Sequence, residues 1–289
     1  MIVNPGFYPD IPADAYHADP CPEPSLSSSL AKVILTETPR HLWTKHPRLN
    51  PNFKPSEDEK FDLGKVAHEF ILGKGGGFIP LEFDNWTTKA AREAREAVRE
   101  GGKTPILVKD LDRVHAMTDG VFVVLDEMGI RLEECASEAT IAWRDEIGGV
   151  WCRAMMDAFD RENGVIYDVK TTDHSLSDDS LDRLIANLGY DLSAEFYMRG
   201  VEAIFPDLAG RLTWRWVFVS AQEPHEMRVI EASGMTREIG AQKASLAIEK
   251  FAACMKSRKW PGYPRKITNN SYPAWAEKAW LEKTICAAE

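Results

Sequence analysis

The chain has 289 residues, 44% of them hydrophobic and 28% charged, with a formal net charge of −10; this is enough for one sizeable core and excludes a disordered or fibrous composition. No run of about eighteen apolar residues occurs, which argues against a membrane-spanning helix. The opening residues lack a basic stretch followed by an apolar one, so no secretory signal and a cytosolic setting are expected. The acidic balance speaks against a uniformly basic nucleic-acid surface, but it is compatible with a local basic groove or with carboxylates that gather metal.

Residues 1–24 are rich in Pro, Asp and Ala without a sustained period and read as an extended leader. The run Ser25–Ser29 offers N-cap hydroxyls for a helix in LAKVILTETPRHLWTKHP that stops near Pro39; contact with a DNA end is the second reading of this run. A polar loop, NPNFKPSEDEK, leads to FDLGKVAHEFILG. There Phe61, Val66, Phe70 and Ile71, with Gly64 and Ala67 between them, predict a buried helix closed by Gly73. GKGGG reads as a flexible turn. Residues 87–100 form a polar helix with a Thr cap and an Ala-rich interior, and a second helix spans about 109–128.

The pattern then changes to strands. SEATIAWRDEIGGVWCRAMMDAFDRENGVIYDVKTT reads as strand, Glu-Ile-Gly-Gly turn, strand, Arg-Glu-Asn-Gly turn, strand. Helices resume over about 180–204. The strands RLTWRWVFVS and EMRVIEA follow, then a helix over about 235–258 and an aromatic, Pro-rich tail. No repeat or low-complexity block is present. Cys21, Cys135, Cys152, Cys254 and Cys286 are widely spaced, without zinc or iron–sulfur spacing, and read as reduced thiols.

The chemistry lies in the hairpin over 150–171. If Asp160 faces Val165 across the four-residue turn, Asp157 lies opposite Asp168. Lys170 then shares the face of Asp168, while Tyr167 and Val169 point away. Two opposed carboxylates destabilise a strand pair, and a divalent cation such as Mg²⁺ or Mn²⁺ is the simplest compensation. Lys170 could then orient or help deprotonate a water whose pKa the metal lowers, which is the chemistry of phosphodiester hydrolysis. A bare D-x-K arises about once by chance in a chain of this length, and Asp58-Glu59-Lys60 is a second match, read as a solvated turn. The match at 168–170 differs in its apolar β flanks and its upstream Asp; an exposed hairpin with a salt bridge is the alternative.

Arg153 lies an even number of residues from Asp157 and is a candidate for facing the phosphate. Glu138 reads equally as a further acid or as half of a structural ion pair. Lys89, Arg92, Arg95, Arg99 and Lys103 form a basic row, but Glu93, Glu96 and Glu100 among them favour a solvated helix over a DNA-facing arm. Trp143, Trp151, Trp214 and Trp216 read as core or sheet surface.

MMDAFDRENGVIYDVKTT resembles the core motif of PD-(D/E)XK nucleases, in particular their RecE-like (exonuclease VIII) branch. LSSSLAKVILTETPRHLW is similar to that branch's N-terminal Ser-rich helix, FDLGKVAHEFILG to its G-x-x-x-H helix, and YDLSAEFYMRGVEA to the helix after the catalytic lysine. The resemblance implies Asp157, Asp168 and Lys170 as catalytic residues. It also implies Asp157, Asp168, His68 and the Val169 carbonyl as metal ligands. Ser193 stands where the branch usually has Gln, with Tyr197 retained, so both remain candidates for addressing DNA.

The expected fold is a restriction-endonuclease-like α/β domain with a central mixed sheet flanked by helices. One domain is expected over 1–289, with an N-terminal helical elaboration over about 1–128 and a nuclease core over about 60–260. The resemblance further implies a Mg²⁺-dependent exonuclease that resects linear duplex DNA from 5′ ends and leaves 3′ single strands for an annealing protein, with ring-shaped homo-oligomers among relatives. An endonuclease, a Cas4-like end-processing nuclease (against which the absent cysteine cluster speaks) and a catalytically silent DNA-binding protein are the alternatives.

Overall fold

The computed structural model describes residues 1–54 and 62–286, so the Asp58–Lys60 match and Phe61 lie outside the described residues. In chain order its elements begin with β1 (Gly6–Tyr8), α1 (Ala13–His17), β2 (Leu26–Ser27), α2 (Ser28–Thr36), α3 (Pro39–Lys45) and α4 (Asp62–Leu72). There follow β3 (Phe78–Leu81), α5 (Lys89–Glu100), β4 (Thr104–Leu107), α6 (Val108–Glu127), β5 (Ala136–Arg144), β6 (Trp151–Asp160) and β7 (Val165–Thr172). The chain continues through α7 (Asp178–Asn187), α8 (Tyr190–Ile204), β8 (Thr213–Ser220), β9 (Met227–Glu231), α9 (Gly234–Ser257) and α10 (Ala274–Cys286).

Strands form where a period-two pattern runs through β-branched and aromatic residues. Among the described residues the main sheet has the order β1-β5-β6-β7-β8-β9, with β2 paired in parallel to β6. β5, β6 and β7 are the antiparallel meander expected from their two turns. β7 and β8 run parallel, because the α7–α8 crossover returns the chain in the same direction. The sheet is therefore mixed, as expected.

One face of the sheet packs Met156, Ile166, Trp214, Trp216 and Phe218 against α2, α7, α8 and α9. The other packs Ala158, Val165, Tyr167, Val169 and Val217 against α4 and α6. All four strand tryptophans are buried, and removing one such side chain typically costs about 3–5 kcal/mol. Gly200 is needed for its small size: a Cβ there would stand 2.5 Å from the Trp143 ring, so α8 could not lie this close to the sheet. No helix among the described residues is long and apolar enough to cross a membrane.

Several local expectations are corrected. The leader is not merely extended: β1 pairs with β5, and α1 follows it. Ser27 caps α2 as expected, accepting from the Leu30 N–H. Pro39 does not stop the helical run but restarts it, standing at the first turn of α3, where its missing N–H is harmless. β3 and β4, a parallel pair, were not expected from the sequence, nor was α10. On α5 the basic row is not uniformly solvated: Arg95 is buried and stacks on Trp86, and Arg99 pairs with Asp62 at 2.7 Å.

His46 is fully buried and stacks on Phe251. Its Nδ1 accepts from the Arg48 and Leu49 backbone N–H groups, and its Nε2–H donates to the Ser25 carbonyl at 3.1 Å. The imidazole is thus wired as the neutral tautomer. Burial, aided by Arg153 and opposed by Asp19, lowers its pKa to about 4. The unfolded chain, with an ordinary histidine near 6.5, takes up the proton first as pH falls. Stability from this group is therefore complete above pH 6.5 and is lost at up to about 1.4 kcal/mol per pH unit on the way down to pH 4. Urea denaturation at a series of pH values is expected to show that slope, and His46→Gln to flatten it; an equal slope in both proteins would refute the assignment.

Candidate active site

β6 and β7 meet at the Arg161–Gly164 turn and pair as Asp160↔Val165, Phe159↔Ile166 and Ala158↔Tyr167. This is the register read from the turn. Its continuation sets Asp157 against Asp168, but the described ladder ends before that pair. Instead the Val169 N–H donates to Asp157 Oδ2 at 2.8 Å, so a side chain replaces the backbone acceptor where the strands part.

Alternation along β7 places Asp168 and Lys170 together and sends Tyr167 and Val169 into the opposite core. Lys170 Nζ donates to Asp168 Oδ1 at 2.6 Å, reaches the Val169 carbonyl at 3.4 Å and stands 4.0 Å from Asp157 Oδ2. One ammonium thus lies against both carboxylates.

His68 arrives from α4, which packs closely on β7 at Gly64. A Cβ on Gly64 would stand 2.9 Å from Thr171 Oγ1, so the glycine permits the approach. One turn further on the same helix face, His68 places Nε2 3.1 Å from Asp157 Oδ2 and Nδ1 3.9 Å from Glu138 Oε1. This gives the G-x-x-x-H spacing a physical reason: the small residue sets the helix-to-strand distance that the histidine uses.

Glu138 has φ +48°, a left-handed conformation costing a non-glycine residue about 1–2 kcal/mol. In the β5–β6 ladder, Ala139↔Met156 and Ser137↔Ala158 pair on either side, while Glu138 and Asp157 are left out. The distortion also breaks the alternation of β6, for Met156 belongs to one core cluster and Ala158 to the other.

Burial opposes ionisation of Asp157, but His68, Lys170 and the Val169 N–H outweigh it and hold the carboxyl below its ordinary range. At Asp168, burial and the charge of Asp157 prevail over Lys170 and push the pKa up. Burial would lower Lys170, yet Asp168 and Asp157 raise it, so the group is an ammonium rather than a base in this state. His68 is likewise raised, Asp157 outweighing the effect of burial.

Two residues of this surface have no signal in the sequence pattern. Lys32 on α2 and Tyr190 at the start of α8 reach it from distant segments. Lys32 Nζ lies 5.1 Å, and Lys170 Nζ 5.6 Å, from the centroid of the same Tyr190 ring. Burial, with Lys170 adding to it and Asp168 opposing, lowers the Lys32 pKa to about 8. Among the described residues Lys32 forms no ion pair within 4.0 Å.

The remaining candidates divide. Ser193 is half-buried on α8. Tyr197, one turn on, packs edge-to-face against Trp214 at 5.5 Å. Arg153 requires a correction. It is 3% exposed and committed to the Tyr16 carbonyl, the Ser25 carbonyl and hydroxyl, and Asp19 at 3.2 Å. Even spacing from Asp157 does not imply a shared face here, because the alternation breaks between Met156 and Ala158.

Among the described residues no three His, Cys, Asp or Glu side chains stand as a ready metal cage. The donor chemistry nevertheless fits a hard divalent cation. Two carboxylates within 4.0 Å of one ammonium already balance a positive charge at this point, with an imidazole nitrogen beside one of them. Asp157, Asp168, His68 Nε2 and the Val169 carbonyl are the groups that could hold it.

A family model described as a PDDEXK-like domain of unknown function (DUF3799) matches residues 27–269. No curated protein matches the sequence. A structure of a candidate exonuclease from Eubacterium rectale aligns over 93% of this chain and 98% of its own, with a TM-score of 0.61 and 12% identity, a likeness of fold. A phage related exonuclease from Haemophilus somnus 129PT aligns over 69% of this chain and 82% of its own, with a TM-score of 0.32 and 13% identity.

Gly64→Ala is expected to force α4 away from β7, costing about 1–3 kcal/mol of stability and weakening Mn²⁺ binding measured by calorimetry. Thr171→Ala in the same chain removes the clashing oxygen and should restore both. A double variant no better than Gly64→Ala alone would show that the close approach is not what positions His68.

Proposed function

We propose that this chain, which belongs to the PDDEXK-like family and carries its nuclease fold, is a divalent-metal-dependent deoxyribonuclease, and more narrowly a Mg²⁺-dependent exonuclease acting on linear duplex DNA. The observation that carries the reading is the gathering of Asp157 and Asp168 about the Lys170 ammonium, with His68 against Asp157, where β6 and β7 part. Such a cluster is costly in a fold unless a substrate or ion uses it.

Bound Mg²⁺ or Mn²⁺ would acidify an attacking water and stabilise charge on the phosphate. Asp157 and Asp168 offer oxygens to that ion, and His68 offers Nε2. Lys170, held as an ammonium by its two carboxylates in the metal-free site, would orient the attacking water or a phosphate oxygen, or help deprotonate that water once a cation has taken up the charge of those carboxylates. Lys32 supplies a second positive charge toward the same phosphate surface, and its desolvated ammonium has most to gain from an anionic partner. Resection from 5′ ends, release of 3′ single strands to an annealing protein and action as a homo-oligomer extend the same reading, on the likeness of the sequence to RecE-like exonucleases. An endonuclease with the same site is the second reading, favoured if closed circles are cut.

With Mg²⁺, end-labelled linear duplex should be degraded while a covalently closed circle persists. EDTA should abolish turnover, and Asp168→Ala and Lys170→Ala should each lower it by at least about 100-fold. Activity unchanged by EDTA would overturn the mechanism. Lys32→Ala is expected to weaken DNA binding and to reduce the slope of log affinity against log salt by about one; an unaltered slope would remove Lys32 from the phosphate surface.

A further inference from the structure

We propose that Glu138 is a positioning residue for His68: it accepts the Nδ1–H of the imidazole when Nε2 turns its lone pair to a metal ion. The inference rests on the metal-dependent reading above and assigns a role to a residue that this reading does not need.

A neutral imidazole carries one proton, and a histidine that ligates through one nitrogen must carry it on the other. His68 is bracketed by two carboxylates, Asp157 Oδ2 3.1 Å from Nε2 and Glu138 Oε1 3.9 Å from Nδ1. In the metal-free site the 3.1 Å contact places that proton on Nε2, donated to Asp157; a cation held by Nε2 and Asp157 would displace it to Nδ1, on the side of Glu138. At 3.9 Å the pair is an ion-pair contact that a small movement or one bridging water turns into a hydrogen bond. Both side chains are largely shielded, Glu138 19% and His68 25% exposed, so solvent competes weakly for that proton. Partners of this kind fix the orientation of metal-binding histidines, and their loss typically costs about 10–100-fold in metal affinity.

The backbone points the same way. Glu138 takes a left-handed conformation, at φ +48°, within a strand whose neighbours on both sides keep their ladder partners. A glycine would adopt that conformation without strain. A carboxylate residue there, aimed at an imidazole, is difficult to explain by stability alone. Lys74, which donates to the carbonyl of the adjacent Ser137, and Glu69 are the other charged groups that act on it, together with Asp157.

The test separates position from stability. Glu138→Gly is expected to melt at the same or a higher temperature than wild type, yet to bind Mn²⁺ 10–100-fold more weakly by calorimetry. Glu138→Gln retains an acceptor for Nδ1–H and should recover most of the affinity. Ring ¹⁵N spectra at a pH where His68 is neutral should show Nε2–H in the metal-free protein and Nδ1–H with Mg²⁺ bound; Nε2–H retained under saturating Mg²⁺ would overturn the inference. Wild-type Mn²⁺ affinity in Glu138→Gly, alongside weakened binding in His68→Ala, would overturn the inference and leave the metal site standing. Loss of one bound Mn²⁺ with the remaining affinity unchanged would make Glu138 a ligand and overturn it as well. If Asp157→Ala and Asp168→Ala both bind Mn²⁺ as wild type does, the metal reading fails and the role of Glu138 fails with it.

Discussion

A buried carboxylate and a half-buried one on adjacent strands, with the opposing charge of a single lysine shared between them, set the terms for the rest of this structure. Asp157 and Asp168 cannot both be ionised at the end of a ladder without compensation. The fold answers with Lys170 from the same strand, His68 from a helix on the far side of the sheet and the Val169 N–H from the backbone. Each helper acts unequally on the two acids, so one is held ionised more readily than the other. That asymmetry comes from placement rather than residue type.

Surrounding elements serve this placement. The β6–β7 turn fixes the register, and the distortion at Glu138 and Asp157 ends regular pairing where the acids need room. Gly64 lets α4 come close enough to deliver an imidazole. On the opposite face, α2 and α8 bring Lys32 and Tyr190 beside Lys170. Segments more than a hundred residues apart thus supply the chemistry, while the sheet between them supplies rigidity.

The sequence reveals most where the information is local. A four-residue turn and a period of two are sufficient to pair Asp160 with Val165 and to put Asp168 and Lys170 on one face, and capping hydroxyls mark the starts of α2 and α5. Arg153 is misread because alternation holds only in an unbroken ladder, and nothing local announces the break at Asp157. Pro39 is misread because a residue that ends one helix is equally fit to begin the next. Lys32 and Tyr190 have no local pattern at all; only the crossing of α2 over α8 gives them a common neighbourhood. Glu138 shows in the sequence as an acid on a strand, but its left-handed backbone belongs to tertiary structure.

The pairing of β1 with β5 has a consequence of its own. β5 is a nine-residue strand, and Gly6–Tyr8 cover part of the backbone it would otherwise present at the border of the sheet. An uncovered strand of that length is a template for adding another chain. The short β1 strand therefore shields that part of β5 from pairing with a second chain.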